Sequence, residues 1–462
     1  MSDNNIKLRS AFEIQTGAVI GQCRAVPVNM GKDKPKAYLV AYSADFDVDP
    51  YVEMFFYPED TLKLLLFDQM GKVLWKRDLG RGVIPGVWFC PVMAFDLNND
   101  GVDEIWFVDN VNTTHPLGVS GYRLTGLDAL TGEQLHSIPW PHILDCKKLP
   151  LGQQFRNFIV GGYAHGKPIL VAVQGTYRDM YFEGFDSELN IIWETLVKAE
   201  DPGARGSHMC PVIDINNDGV DELLWGERCI ELAGGKELFC ADRDSYKGHS
   251  DIVSPVFNKL TKRWEVLICR ESDDFSAPRI CYYNDEGERL WGDLDLGHID
   301  LGWAARLADD KSHYVMGIRI GKKTCGPDGR FHDHYDEFVY DPKDGSRIKL
   351  GFSVYKTLPV DINGDGYHEL VRGLPAADGD VLDRKGNIIG NIGGCVALSG
   401  KLLKDKAGEQ MLTYSEDGTI RIWYDENAED TPDAMERYQN PFYEKAQSVM
   451  GNGYNWCILG GI

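Results

Sequence analysis

Basic residues are scarce in this chain: 48 lysines and arginines face 71 aspartates and glutamates, a formal charge of −23 over 462 residues. Nucleic acid demands a basic footprint, so it is excluded as an expected partner. The same field repels an anionic ligand unless arginines, lysines or a metal cation gather where it binds. No stretch approaches the roughly 18 continuous apolar residues that span a bilayer, so no membrane association is expected. The polar start from Met1 to Ser10 lacks the charged-then-apolar pattern of a secretory signal. Eleven cysteines are an odd number without a C-x-x-C pair, which argues against a zinc site or a disulfide framework. They read as small buried hydrophobes in a reducing cytoplasm, the expected location.

What the chain has in quantity is glycine, tyrosine and tryptophan, at 50, 21 and 11 residues, and a repeat. An acidic or amide residue is followed seven positions later by an apolar residue or glycine, across a turn. The pairs are Asp68 and Trp75, Asp128 and Leu135, Asp186 and Trp193, Glu231 and Leu238, Asn284 and Trp291, Asp341 and Ile348, Asp383 and Gly390, with a degenerate copy near Asp425. Alternating apolar residues around a Gly- or Asn-bearing turn predict a β-hairpin. Recurrence every 40–60 residues or so predicts an all-β fold, a single β-propeller over 1–462, with eight blades and seven as the alternative count. Function is then expected in the inter-blade loops around one central pocket.

Three further loops share an acidic rhythm: Asp96, Asn98 and Asp100; Asp214, Asn216 and Asp218; Asp361, Asn363 and Asp365. Oxygen ligands at alternate positions before a glycine can wrap a Ca²⁺ ion, as the first half of an EF-hand does. No exiting helix is expected, so the EF-hand reading fails. The loops are candidate structural Ca²⁺ sites or plain Asx turns between blade strands. No organic cofactor is expected.

Several stretches together resemble the β-propeller rhamnogalacturonan lyases, pectin-cleaving enzymes with eight blades and many calcium loops. They are Gly206-Ser207-His208 before the second acidic loop, Gly248-His249-Ser250-Asp251, Glu265-Val266 running to Arg270-Glu271, and Gly175 to Tyr181. The run from Gly418 to Trp423, Asn440 to Tyr443, and Gly453-Tyr454-Asn455 looks like the family's last blade. The chain departs from the family at three places. Phe89-Cys90 stands where the family sets an asparagine–aspartate pair on its catalytic calcium. Trp303 stands near its active-site arginine, and Gly393-Gly394-Cys395 offers no counterpart to its late lysine. The resemblance therefore implies a retained pocket and β-elimination on a uronic-acid-containing glycan of rhamnogalacturonan, gum or ulvan type, with a saccharide other than rhamnogalacturonan the better fit to these departures. Other propeller lyases, such as those for ulvan, use histidines and a tyrosine in place of a catalytic calcium.

Such a lyase removes the C5 proton of a uronic acid and expels the 4-oxygen, so it needs a carboxylate neutraliser, a base and an acid. An arginine fork suits the first role and histidine the second. His208 and His249 are the expected base and partner, with Asp251 orienting or holding a cation; capping of blade turns is the structural alternative. Arg178 and Tyr181 are the expected neutraliser and acid, against an exposed blade edge. Arg270 and Glu271 are substrate candidates, against a satisfied ion pair, and Arg279 is a weaker one. Tyr246, Tyr454, His298 with Asp300, and His115 complete the expected lining. His332, His334 and Asp336 read as a solvated loop. Trp140, Trp303 and Trp456 read as sugar platforms or, more often, blade packing. A glycoside hydrolase on the same scaffold, or a non-catalytic propeller binding sugar or protein, are the competing functions. Oligomeric state is not legible.

Overall fold

The computed structural model describes residues 6–141, 149–271 and 277–462; Met1 to Asn5, Cys146 and Ser276 lie outside them. The ten described cysteines are unpaired. No described helix is long and apolar enough to cross a membrane.

Eight antiparallel sheets follow one another around a ring, an eight-bladed β-propeller. The blades occupy 22–78, 92–139, 157–197, 212–240, 250–293, 298–347, 358–391 and 395–425. Each predicted hairpin joins the two outer strands of a blade. The acidic residue does local work there: Asp68 Oδ1 accepts the N–H groups of Met70 and Lys72, and Asp186 and Asp383 repeat the pattern. Where the residue seven positions on is a tryptophan, it faces the neighbouring blade. The indoles of Trp75, Trp193 and Trp291 donate to Ala129, Leu232 and Pro342 of the next hairpin. The turn glycine under each indole has no alternative. At Gly235 a Cβ would lie 2.3 Å from the Trp193 ring, and its φ of +66° is left-handed. The last copy is degenerate because no outer hairpin exists there. The strand Leu8–Gln15 supplies the fourth strand, pairing with Thr419–Asp425 and closing the ring.

The central channel is filled by the chain's own C-terminal segment. Helices Pro432–Tyr438 and Pro441–Ser448 start on the side-chain caps Thr431 and Asn440. A 3-10 turn, Asn455–Gly461, follows. Glycines let this plug touch the inner strands: a Cβ on Gly461 would meet the Pro255 carbonyl at 1.9 Å, and one on Gly460 that of Ala304 at 2.0 Å. Because strands alternate in direction, the outer hairpins and all three acidic loops share one face of the ring. The starts of the inner strands and the ends of the second strands share the other.

Two buried histidines beneath the plug set a pH limit. His368 Nδ1 accepts the Arg306 backbone N–H at 2.8 Å. Burial, followed by Arg437, pushes His368 well below the ordinary imidazole range; burial, followed by Arg306, does the same to His313. The unfolded chain therefore binds more protons once pH falls through about 6.5. Stability is expected to be full above that pH and to fall below it, by up to about 1.4 kcal/mol per pH unit for each histidine. Urea midpoints between pH 7.5 and 5 measure this, and His368→Gln should flatten the slope by about one proton.

Candidate active site

The mouth opposite the acidic loops is built where blades 4, 5 and 6 enter the ring. Ser207 and Ser250 form a parallel bridge between the entry segments of blades 4 and 5, with Ser250 N donating to Gly206 O at 3.1 Å. That bridge carries His208 and His249 together, ring centroids 4.4 Å apart. Gly206 permits the approach, since a Cβ there would lie 2.6 Å from the Trp225 indole.

Both imidazoles address one oxygen. Asp251 Oδ1 lies 2.9 Å from His208 Nδ1 and 3.0 Å from His249 Nε2. The other nitrogen of His249 faces Glu271 Oε2 at 3.0 Å, and Glu271 Oε1 lies 2.6 Å from His298 Nε2. Lys323 closes the row, 2.5 Å from Asp300 and 3.5 Å from Glu271. Burial drives His208 well below its ordinary value, helped by Arg156, and takes His249 down to about 4 against the pull of Glu271. Burial, then Glu271 and Asp300, raises Asp251 far above a normal carboxylate. Burial also pushes Asp300 upward, but Lys323 and a hydrogen bond from Asp251 bring it below the usual range.

A neutral imidazole carries one N–H, yet His249 meets a carboxylate oxygen at each nitrogen. Either the imidazole carries a second proton, or one of those oxygens bears one, or a cation stands between the groups. Burial disfavours the imidazolium and favours a proton on Asp251. His208, His249, Asp251 and Glu271 also each offer a ligand atom within 4.8 Å of the others, as do Glu271, His298 and Asp300. Two imidazoles with two carboxylates suit a divalent ion of borderline softness better than the all-oxygen set of Ca²⁺.

Tyr177 covers this group from a left-handed backbone, φ +74°. Its hydroxyl is 3.1 Å from His208 Nε2, and its ring stands edge-on to His249. Burial keeps the phenol protonated, well above 10, although Arg156 works in the opposite sense. The Arg156 guanidinium lies 4.7 Å from the Trp88 ring centroid and 3.1 Å from Asp49. Arg330 reaches Asp47 at 3.0 Å and Tyr454 Oη at 2.6 Å. It belongs to a hairpin, Lys323–Gly326 with Gly329–His332, inserted in blade 6. The cleft outside measures about 1230 Å³ and is lined by Tyr51, Met54, Tyr177, Glu271, His298 and Lys323. A smaller pocket beneath, reaching Asp49, Arg156 and His208, shares Tyr177, Glu271 and Lys323 with it.

The expected residues divide sharply. His208, His249, Glu271, His298 and Tyr454 meet at this mouth. Tyr181 does not: its hydroxyl is held by Glu183 and Glu194 on its own blade. Arg178 is exposed beside Tyr177, and His115 is exposed in a turn capped by Asn112. Arg270 is consumed by Glu227, Asp242 and Tyr283, and Tyr246 lies under its guanidinium, donating to the His249 carbonyl. Trp303 and Trp140 are buried core, and Trp456 stacks on Tyr454. His332 bonds Tyr355, His334 meets Asp333, and Asp336 meets Arg319. Tyr177, Arg156, Lys323, Arg330, Asp47 and Asp49 were missed. Only Tyr177, inside a stretch already flagged by resemblance, carried a sequence signal.

In the acidic loops the side chains turn onto their own backbone. Asp96 accepts from Asp100 and Gly101, Asp214 from Asp218 and Gly219, and Asp361 from Gly366. Asn98 and Asn216 accept from Asp100 and Asp218, and Asn363 from Asp365. Burial with crowded carboxylates lifts Glu104 to about 7 and Glu222 to about 8.

The fold resembles that of the β-propeller polysaccharide lyases. Among curated proteins the chain is similar to the rhamnogalacturonan exolyase YesX of Bacillus subtilis (strain 168), 27% identical over 282 residues, 54% of this chain and 45% of that protein. The rhamnogalacturonan endolyase YesW of the same organism is 22% identical over 294 residues, 54% of this chain and 46% of that protein. These matches span about half the length of the curated relatives. Among solved structures, exotype YesX superposes with a TM-score of 0.73 at 18% identity, covering 96% of this chain and 80% of that one. The Bacillus licheniformis rhamnogalacturonan lyase PL11 gives 0.73 at 17%, covering 98% and 81%. No protein-family profile matches the chain.

Arg270→Leu tests the reassignment of that residue. It strands Glu227, a fully buried carboxylate, and should cost about 3–5 kcal/mol in urea unfolding. Near-native stability with weakened saccharide binding would instead restore Arg270 to the substrate.

Proposed function

We propose that the chain is a carbon–oxygen lyase that cleaves a uronic-acid-containing saccharide by β-elimination. The observation that carries this is a base, an acid and a cation side by side on one cleft floor: His298, Tyr177 and Lys323 all line the same cavity. The similarity to rhamnogalacturonan lyases supports the substrate class and makes rhamnogalacturonan the first glycan to try.

His298 is the open histidine of the group. With its Nε2–H donated to Glu271, its Nδ1 lone pair takes the C5 proton, and Glu271 steadies the imidazolium formed. Lys323 turns from Asp300 toward the substrate carboxylate, easing the carbanionic charge that develops next to it. Tyr177, kept protonated by burial, gives its proton to the leaving 4-oxygen. The phenolate is then held by His208 Nε2–H, and Tyr177 and His298, both on the open cleft, exchange protons with solvent to reset the site. His208 and His249, sealed from solvent, are the frame rather than the base first expected. His208, His249, Asp251 and Glu271 would hold a divalent cation, which when bound would draw charge from the substrate carboxylate. The three acidic loops remain proposed structural Ca²⁺ sites, supported by the carboxylate and amide oxygens that each sets at alternate positions before a glycine.

An absorbance assay for the conjugated double bond tests this on rhamnogalacturonan-, gum- and ulvan-type oligosaccharides. Wild type should generate it, and Tyr177→Phe and His298→Ala should each lower kcat by about 10²–10⁴. New reducing ends without that absorbance would mean hydrolysis. Chelation should lower wild-type activity, and Asp251→Ala should abolish retention of one ion per chain by elemental analysis.

A further inference from the structure

On the far side of the blade 6 hairpin lies a second cavity of about 430 Å³, bordered by Phe331, His332, Tyr335, Tyr355 and Lys356. Large apolar rings stand open to solvent here: Phe331 is 56% exposed and Tyr335 41%. They are not loose. Tyr335 stacks on Tyr355 with centroids 4.0 Å apart and planes 16° from parallel. The Tyr355 hydroxyl and His332 Nε2 share a 2.6 Å hydrogen bond, and the His332 ring stands edge-on to both tyrosines. Two of these residues belong to different chain segments, one in the outer strand of blade 6 and one in the approach to blade 7. An ordered, solvent-facing aromatic surface with polar groups at its rim is the chemistry that receives the C–H face of a pyranose. Rigid rings lose little conformational entropy on binding, so this geometry is prepared in advance.

This cavity and the inner pocket lie against one hairpin strand, since Arg330, Phe331 and His332 border both, and His334 borders both this cavity and the outer cleft. We infer that Phe331, Tyr335 and Tyr355 form an accessory saccharide subsite, which receives a pyranose ring adjoining the uronate in the reacting cleft. This rests on the lyase reading for its orientation, but the platform itself is a sugar-binding surface independent of any chemistry. Tyr335 holds no reacting group and touches none of the residues assigned to proton transfer.

The 462-residue chain is assayed against uronic-acid-containing oligosaccharides of increasing length, wild type beside Tyr335→Ser. One stacked ring corresponds to about five- to tenfold in affinity. The KM for longer substrates should therefore rise by that factor, with kcat and the KM for the shortest cleaved substrate unchanged. An equal change at every length, or none at any, overturns the subsite. Calorimetry with the same sugars, comparing Tyr177→Phe with Tyr177→Phe/Tyr335→Ser, reads binding without turnover. Length-dependent loss of affinity in the absence of any wild-type cleavage upholds the platform while removing the lyase reading; no saccharide binding at all removes both. Phe331→Ala, on the other strand, replaces Tyr335→Ser if that variant unfolds, and the same length dependence is required of it.

Discussion

One buried carboxylate oxygen organises the mouth of this propeller. Asp251 Oδ1 receives a ring nitrogen from each of two blades, in surroundings where an unshared charge is expensive. Two neutral imidazoles and several acids cannot satisfy one another by themselves, because donors are too few. A proton on Asp251 would resolve the shortage, and so would the divalent cation proposed for this cluster. The neighbouring Glu271, Asp300 and Lys323 extend the same row out to the open cleft. The proposed chemistry uses that row: buried members hold position and protons, while the exposed ends, Tyr177 and His298, meet the substrate.

The ring around this row keeps structural and chemical duties on separate faces. Acidic hairpin turns, indole bridges between blades and the three acidic loops occupy one side. Strand starts and second-strand exits, with the blade 6 hairpin, occupy the other. The plug joins them, since Tyr454 N donates to the His208 carbonyl at 2.8 Å while Arg437 lies buried against Glu409. Local changes at the hairpins should therefore alter stability before they alter the mouth.

The blade count was legible because hairpin turns are local: an Asp or Asn capping its own turn, a glycine at left-handed φ, and an apolar residue seven positions on require no knowledge of the fold. Even the degenerate eighth copy has a reason, the closing strand drawn from the other end of the chain. His208 and His249 were legible through their glycine-rich contexts and the family pattern. The remaining residues arrive by long-range routes. Arg156 comes from blade 3's entry, Lys323 and Arg330 from an insertion that carries no motif, and Asp49 from a long loop in blade 1. Spacing also misled at Tyr181, because strand alternation turned it toward Glu194, while Tyr177, in the irregular turn before it, points at the histidines. Arg270 looked like a ligand for an anion and is an ion pair that ties blade 5 to Glu227 of blade 4.

We propose that the space between Asp251 and its two histidines is a cation position as well as a proton position. Anomalous diffraction from crystals equilibrated with Mn²⁺ measures this directly. A peak bounded by His208 Nδ1, His249, Asp251 and Glu271 is expected, lost on substituting Asp251. Ordinary density there at saturating Mn²⁺, with the histidine–Asp251 contacts unchanged, would contradict it.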